Sequence, residues 1–131
     1  LMPLPITSLY AAILPLMLIV LTYYVILGRA RSGISILHGE DMALATRIRQ
    51  HGNFIEFVPM ALIVMALAEF GGANSMALHI AGVLLVVARI AQPFGMHPEI
   101  ATKPLRIIGG AGTHLSILIS VALILTARFA G

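Results

Sequence analysis

Three polar side chains at positions 49, 53 and 56 carry the most chemical information in this chain of 131 residues. They stand in the run RIRQHGNFIEFVP, residues 47–59. There the i, i+4 and i+7 spacing puts Arg49, Asn53 and Glu56 on one face of a helix, over about 10 Å. A guanidinium takes carboxylates, a carboxylate takes an ammonium, and an amide both donates and accepts. A stripe of this kind suits a zwitterionic ligand with amide groups of its own. The structural alternative is that Arg49 and Glu56 compensate each other, or pair with Arg89 or Arg106, and simply hold a helix bundle together.

Two further arginines are out of place in apolar surroundings. Arg89 lies inside an apolar segment near one end, where it either snorkels to the interface or joins a site. Arg106 opens the last apolar segment, and a cation at a helix N-terminus opposes the dipole, which implies an anion close by or a lipid headgroup. Arg49, Arg89 and Arg106 come from three different segments and are expected to converge at one depth. The five histidines, His38, His51, His79, His97 and His114, have no zinc spacing, so no metal is expected. His79 and His114 read instead as polar residues inside a bundle. Gly109, Gly110, Ala111 and Gly112 are not a phosphate loop, because no strand precedes them and no Lys-Ser/Thr follows. With Ser116 and Ser120, Gly109 and Gly112 form a small-residue stripe of the kind that lets membrane helices approach closely.

The elements that must position these residues follow from composition. The chain is 60% hydrophobic and 10% charged, with a mean hydropathy of +1.02. Soluble domains carry roughly 45–50% apolar and about 25% charged residues, so lipid is the solvent for most of this surface. The same figures exclude a separate soluble domain, disorder and a nucleic-acid module. The lack of cysteine excludes a disulfide scaffold. A spanning helix takes about 20 residues, and four fit, over approximately 6–27, 42–70, 75–95 and 105–128, in one all-α membrane domain covering 1–131. The first has no charged residue through position 28, and its basic pair, Arg29 and Arg31, follows the apolar stretch rather than preceding it. That order argues against a cleaved signal. Residues 28–41 and 92–104 read as polar connections, and Gly71, Gly72, Ala73 and Asn74 as a tight turn. The apolar half of the second span, 57–68, is short, so Asn53 and Glu56 must enter the bilayer or its interface, and Pro59 is expected to kink the helix there.

Basic residues set the expected orientation. Arg29, Arg31, Arg47, Arg49, Lys103 and Arg106 belong to the first and third connections or flank them, and Arg128 alone belongs to the other side. The positive-inside rule therefore puts both long connections in the cytoplasm and both termini outside.

The pattern Arg49-x-x-x-Asn53-x-x-Glu56-x-x-Pro59, on the second of four membrane helices, resembles the signature of the MAPEG family, the membrane-associated proteins of eicosanoid and glutathione metabolism. The His51-Gly52 variant, with Met65 to Glu69 following, is similar to the small bacterial branch, which implies a bacterial inner membrane. The resemblance covers essentially the whole chain in length and helix order. It implies a homotrimer in membrane lipid, with glutathione as co-substrate between subunits and a lipophilic electrophile or hydroperoxide as second substrate. Under it Arg49, Asn53, Glu56, Arg89, His51 and Gln92 are glutathione contacts, with Glu56 on the α-amine and Arg49 on a carboxylate. The resemblance also implies that Arg106 is the catalytic residue, stabilising the thiolate. The chain departs from the leukotriene synthase of the family at Phe57, Gln92 and Met96, which stand where that enzyme has tyrosines. Two other functions fit a small four-helix membrane protein. One is a solute or drug transporter, although the essential glutamate of such exporters lies in the first span. The other is a non-catalytic protein that keeps the family scaffold.

Overall fold

The computed structural model describes residues 2–130, and their order is α1 (Pro5–Ser32), α2 (Met42–Phe70), α3 (Ser75–Gly95) and α4 (Pro104–Phe129). All four are long and apolar enough to cross a membrane. At 1.5 Å per residue the shortest, with 21 residues, is about 31 Å long, enough for the hydrocarbon core. Large apolar side chains are left exposed on every helix, among them Val20, Leu67, Val83 and Leu118, a surface that suits lipid rather than water.

Local chemistry explains where each helix starts and stops. Proline opens both α1 and α4, where its missing N–H loses nothing. The Asp41 carboxylate accepts from Leu44 N at 3.0 Å to start α2, and Asn74 Oδ1 accepts from Ala77 N at 3.1 Å to start α3. The turn between α2 and α3 uses Gly72 at φ 84°, a conformation that suits glycine.

The end of α1 differs from the expectation that it stops at 27. The helix continues through Gly28 to Ser32, and Gly33 closes it at φ 73°, its N–H donating to Arg29 O at 2.8 Å. Arg29 is a good helix former in the last turn, where a cation faces the negative end of the dipole, and its Nη1 folds back onto the connection, donating to Ile34 O at 3.2 Å and Leu37 O at 2.8 Å. The true connection is 33–41, shorter than the 28–41 read from composition. At the other end, the Glu69 carboxylate from the last turn of α2 accepts from Ile6 N at 2.8 Å and Thr7 N at 2.7 Å. It caps α1 across 63 residues of chain, and its charge faces the positive end of the helix dipole.

The core is a column of Tyr10, Leu14, Leu21, Phe54, Val58, Ala61, Met65, Ala68, Leu78 and Leu85, from α1, α2 and α3. Helices α3 and α4 meet at small residues: a Cβ on Gly112 would lie 2.8 Å from Ala88 Cβ, and Ser116 Oγ donates to Ala81 O at 2.7 Å. The closest approach is at Gly95, where a Cβ would overlap the Arg106 backbone. That contact sets the start of α4 directly against the end of α3. The small-residue stripe read from sequence, with Thr113 added to it, is therefore a packing surface within the protomer.

Candidate functional site

Arg49 lies two turns into α2, and Glu56 is the middle residue of that helix, with 14 residues on either side. Their side chains join along the helix. Arg49 Nη1 is 3.0 Å from Glu56 Oε1, and Nη2 is 3.3 Å from Oε2, a two-pronged pair. It is possible over seven residues because Gly52 lies between them. A Cβ on Gly52 would be 3.1 Å from Arg49 Nη1 and 3.9 Å from Glu56 Oε1. Both charged side chains are half-exposed, 55% for Arg49 and 51% for Glu56.

At the end of the bundle that carries the two long connections, a cleft of about 230 Å³ opens beside this pair. Its walls are Met42, Ala45, Thr46 and Arg49 from α2, Met96 to Pro98 after α3, and Arg106 from α4. Two of the three arginines expected to converge therefore share one cavity. The third does not. Arg89 is 1% exposed and lies behind Asn53, donating from Nη2 to Asn53 Oδ1 at 2.7 Å and from Nη1 to Thr113 Oγ1 at 3.4 Å. Its guanidinium also lies 5.6 Å from the Phe54 ring centroid. Among the described residues, dispersed dipoles and one aromatic face, with no carboxylate, hold this cation. It neither snorkels nor reaches the cleft, because the acceptors on α2 and α4 draw it inward.

Two other expected ligand contacts also face elsewhere. His51 Nε2 is 3.1 Å from Thr22 Oγ1, so the ring turns to α1. Gln92 is 4% exposed and packs against Gly109, where it helps fix the crossing of α3 and α4. Phe57 packs on His114 with centroids 5.5 Å apart, and Met96 lines the cleft. Neither Phe57 nor Met96 supplies a hydroxyl. His79 is held by Tyr10, whose hydroxyl is 2.8 Å from its Nδ1.

Sequence reasoning passed over Gln50, which joins the helices just behind the cleft by donating from Nε2 to Pro93 O at 2.8 Å. Pro93 lies in the last turn of α3, where helix carbonyls lack an i+4 N–H and take other donors. Arg47 was counted only for orientation, yet it clamps α1. It donates to Tyr24 O at 2.8 Å and stacks 3.9 Å over the Tyr24 ring, packed against Gly28.

This geometry presents one cation and one anion on an open face, an amide between them, and a second cation across a cleft. It is complementary to an amino acid or peptide with carboxylates and an ammonium. The MAPEG family sequence profile matches residues 7–126. The chain belongs to the MAPEG family. MAPEG members are membrane proteins of glutathione and eicosanoid metabolism, and this one is an integral membrane protein of four apolar helices. It is 30% identical over 92 residues to the inner membrane protein YecN of Escherichia coli strain K12, a match covering 70% of each chain. The YecN protein of E. coli O6:H1 matches to the same extent. No solved structure matches.

Proposed function

We propose that this MAPEG protein is a membrane-bound, glutathione-dependent transferase or peroxidase, with its glutathione site at the Arg49–Glu56 stripe and the adjoining cleft. One observation carries the reading: an ion pair with both partners half-exposed extends to the midpoint of a spanning helix. Charges at that depth cost at least ~2.5 kcal/mol on the insertion scale unless they face protein or a wet cavity. Something must cover them. The cleft of one protomer, about 230 Å³, is smaller than the ~300 Å³ at which ligand pockets begin. Both facts support a site completed by a second copy, as in a homotrimer, with glutathione between subunits. The basic residues around the long connections support a cytoplasmic position for this end, and the likeness to YecN supports an inner membrane.

In this reading Glu56 takes the glutathione ammonium and Arg49 a carboxylate, so their mutual pair opens as the ligand enters. Arg106 stabilises the sulfur. A thiol of pKa about 8.5 is only a few per cent ionised at neutral pH. Lowering that value by roughly 2 units takes ~2.7 kcal/mol of preferential anion stabilisation, within reach of a charge-assisted contact in a half-dry site. The chain has no cysteine, so the nucleophile is the ligand's own thiolate. With an electrophile, the sulfur forms a C–S bond as the leaving group departs with its electron pair. With a hydroperoxide, two glutathiones become one disulfide while ROOH is reduced to ROH and water. The second substrate is lipophilic and arrives through the bilayer.

A specific observation favours a second reading, a protein that binds glutathione without turnover. Met96 occupies the cleft wall where a family tyrosine would offer its hydroxyl. Nanodisc-embedded protein given glutathione and an activated aryl halide separates the two. The transferase reading expects conjugate formation that disappears in Arg106→Ala. Binding without conjugate or hydroperoxide reduction supports the second reading.

A further inference from the structure

Arg89 is the largest fully buried side chain in the protein, and it is a cation. Its guanidinium donates both ways, to α4 and to α2. The Thr113 hydroxyl donates to Gly109 O at 2.7 Å, which leaves its lone pairs free to accept from Arg89 Nη1. Arg89 Nη2 then donates to Asn53 Oδ1 at 2.7 Å. A guanidinium has donors only, so the group facing it must be the amide oxygen. An amide flip would set N–H against N–H beside a buried charge. The Asn53 nitrogen is thus turned away from Arg89, and among the described residues it has no acceptor. Asn53 itself is half-buried and stands on the stripe between Arg49 and Glu56.

We propose that Arg89 is a positioning residue that locks the Asn53 amide with its two N–H donors outward. The subsite between Arg49 and Glu56 then accepts only a hydrogen-bond acceptor of the ligand, a carbonyl or carboxylate oxygen. This rests on the glutathione reading for the ligand but not for the lock. It replaces the expectation that Arg89 touches glutathione: the arginine acts through Asn53. The consequence is a selective order of groups along α2, an anion at Arg49, an acceptor at Asn53 and an ammonium at Glu56. A ligand that offers a donor at the middle position is disfavoured, because two donors would face each other and neither would be satisfied.

Asn53→Asp separates the lock from the binding. It keeps the acceptor for Arg89, now as a carboxylate, and removes both outward donors. In the purified full chain, thermal unfolding without glutathione should show a higher midpoint than wild type, because the buried guanidinium gains a counter-ion. Calorimetric titration with glutathione should show affinity lower by about tenfold or more. An unchanged or lower midpoint overturns the lock, and wild-type affinity overturns the donor assignment. Should Asn53→Asp fail to fold, Arg89→Met and Arg89→Lys decide the question. Arg89→Met should weaken glutathione binding and Arg89→Lys should restore part of it, whereas equal affinity in the two variants overturns positioning through Asn53. No binding by wild type would refute the glutathione reading and the acceptor subsite with it, while the unfolding comparison still decides the lock.

Discussion

Arg49 reaches two turns along α2 to place Nη1 3.0 Å from Glu56 Oε1, and it does so over the bare backbone of Gly52. The pair is a placeholder as much as a bond. In the proposed mechanism each partner is released to a different end of the ligand, so the strength of the pair opposes binding.

Gly52→Ala tests this directly. A Cβ 3.1 Å from Nη1 forces the guanidinium to move, while alanine favours the helix by up to about 1 kcal/mol over glycine. The expected outcome is an unfolding midpoint equal to or above wild type and glutathione affinity about two- to fivefold tighter. Calorimetry beside a thermal melt reads both. Weaker binding with an unchanged melt would mean that the pair shapes the site rather than occupying it.

Gly95→Ala and Gly82→Ala should both destabilise. At Gly95 the new methyl meets the Arg106 backbone, and at Gly82 it meets the Tyr10 ring. Overpacking of this kind costs about 1–3 kcal/mol. The two differ in function: Gly95→Ala displaces Arg106 and should lower turnover per folded protein, whereas Gly82→Ala lies on the far contact with α1 and should not. Thermal melts and rates normalised to folded protein distinguish them.

Glu69→Gln should loosen the start of α1. The carboxylate accepts from Ile6 N and Thr7 N, and losing such a cap costs about 1 kcal/mol. Hydrogen exchange at Ile6 and Thr7 should accelerate while the amides of α4 keep their protection. Uniform acceleration over all four helices would show that Glu69 supports the whole bundle.

Met96→Tyr restores a hydroxyl to the cleft that also holds Arg49 and Arg106. A donor to the thiolate should raise the conjugation rate by about tenfold. An unchanged rate would place the sulfur away from residue 96.

Much of the fold was legible because lipid imposes it. Runs of apolar residues of bilayer length admit one solution, a helix, although α3 continues to Gly95 through residues that composition also reads as the start of a connection. The end of α1 was not legible. Gly28 reads as a stop, but in the structure it packs closely against Leu44 and Arg47 of α2, which is a tertiary fact. In the site, the common face of Arg49, Asn53 and Glu56 followed from helical period alone. Arg49 and Arg106 share a cleft, but the expected convergence of three arginines fails at Arg89. The partners of His51, Gln92 and Arg89 could not be read, since each depends on how α1, α3 and α4 are rotated about their axes. Arg89 shows this most clearly. Its charge and depth marked it as significant, but its hydrogen bond to Asn53 joins residues 36 apart in sequence, and no local pattern records that pairing.

Glu56 and Arg49 are proposed to hold the two charged ends of glutathione. Titration calorimetry of wild type and Glu56→Gln in the same membrane mimetic should show saturable binding by wild type and a loss of about tenfold or more in Glu56→Gln, because the ammonium keeps a neutral acceptor but no counter-ion. Absence of binding by wild type at millimolar glutathione, or equal affinity in the two proteins, would contradict it.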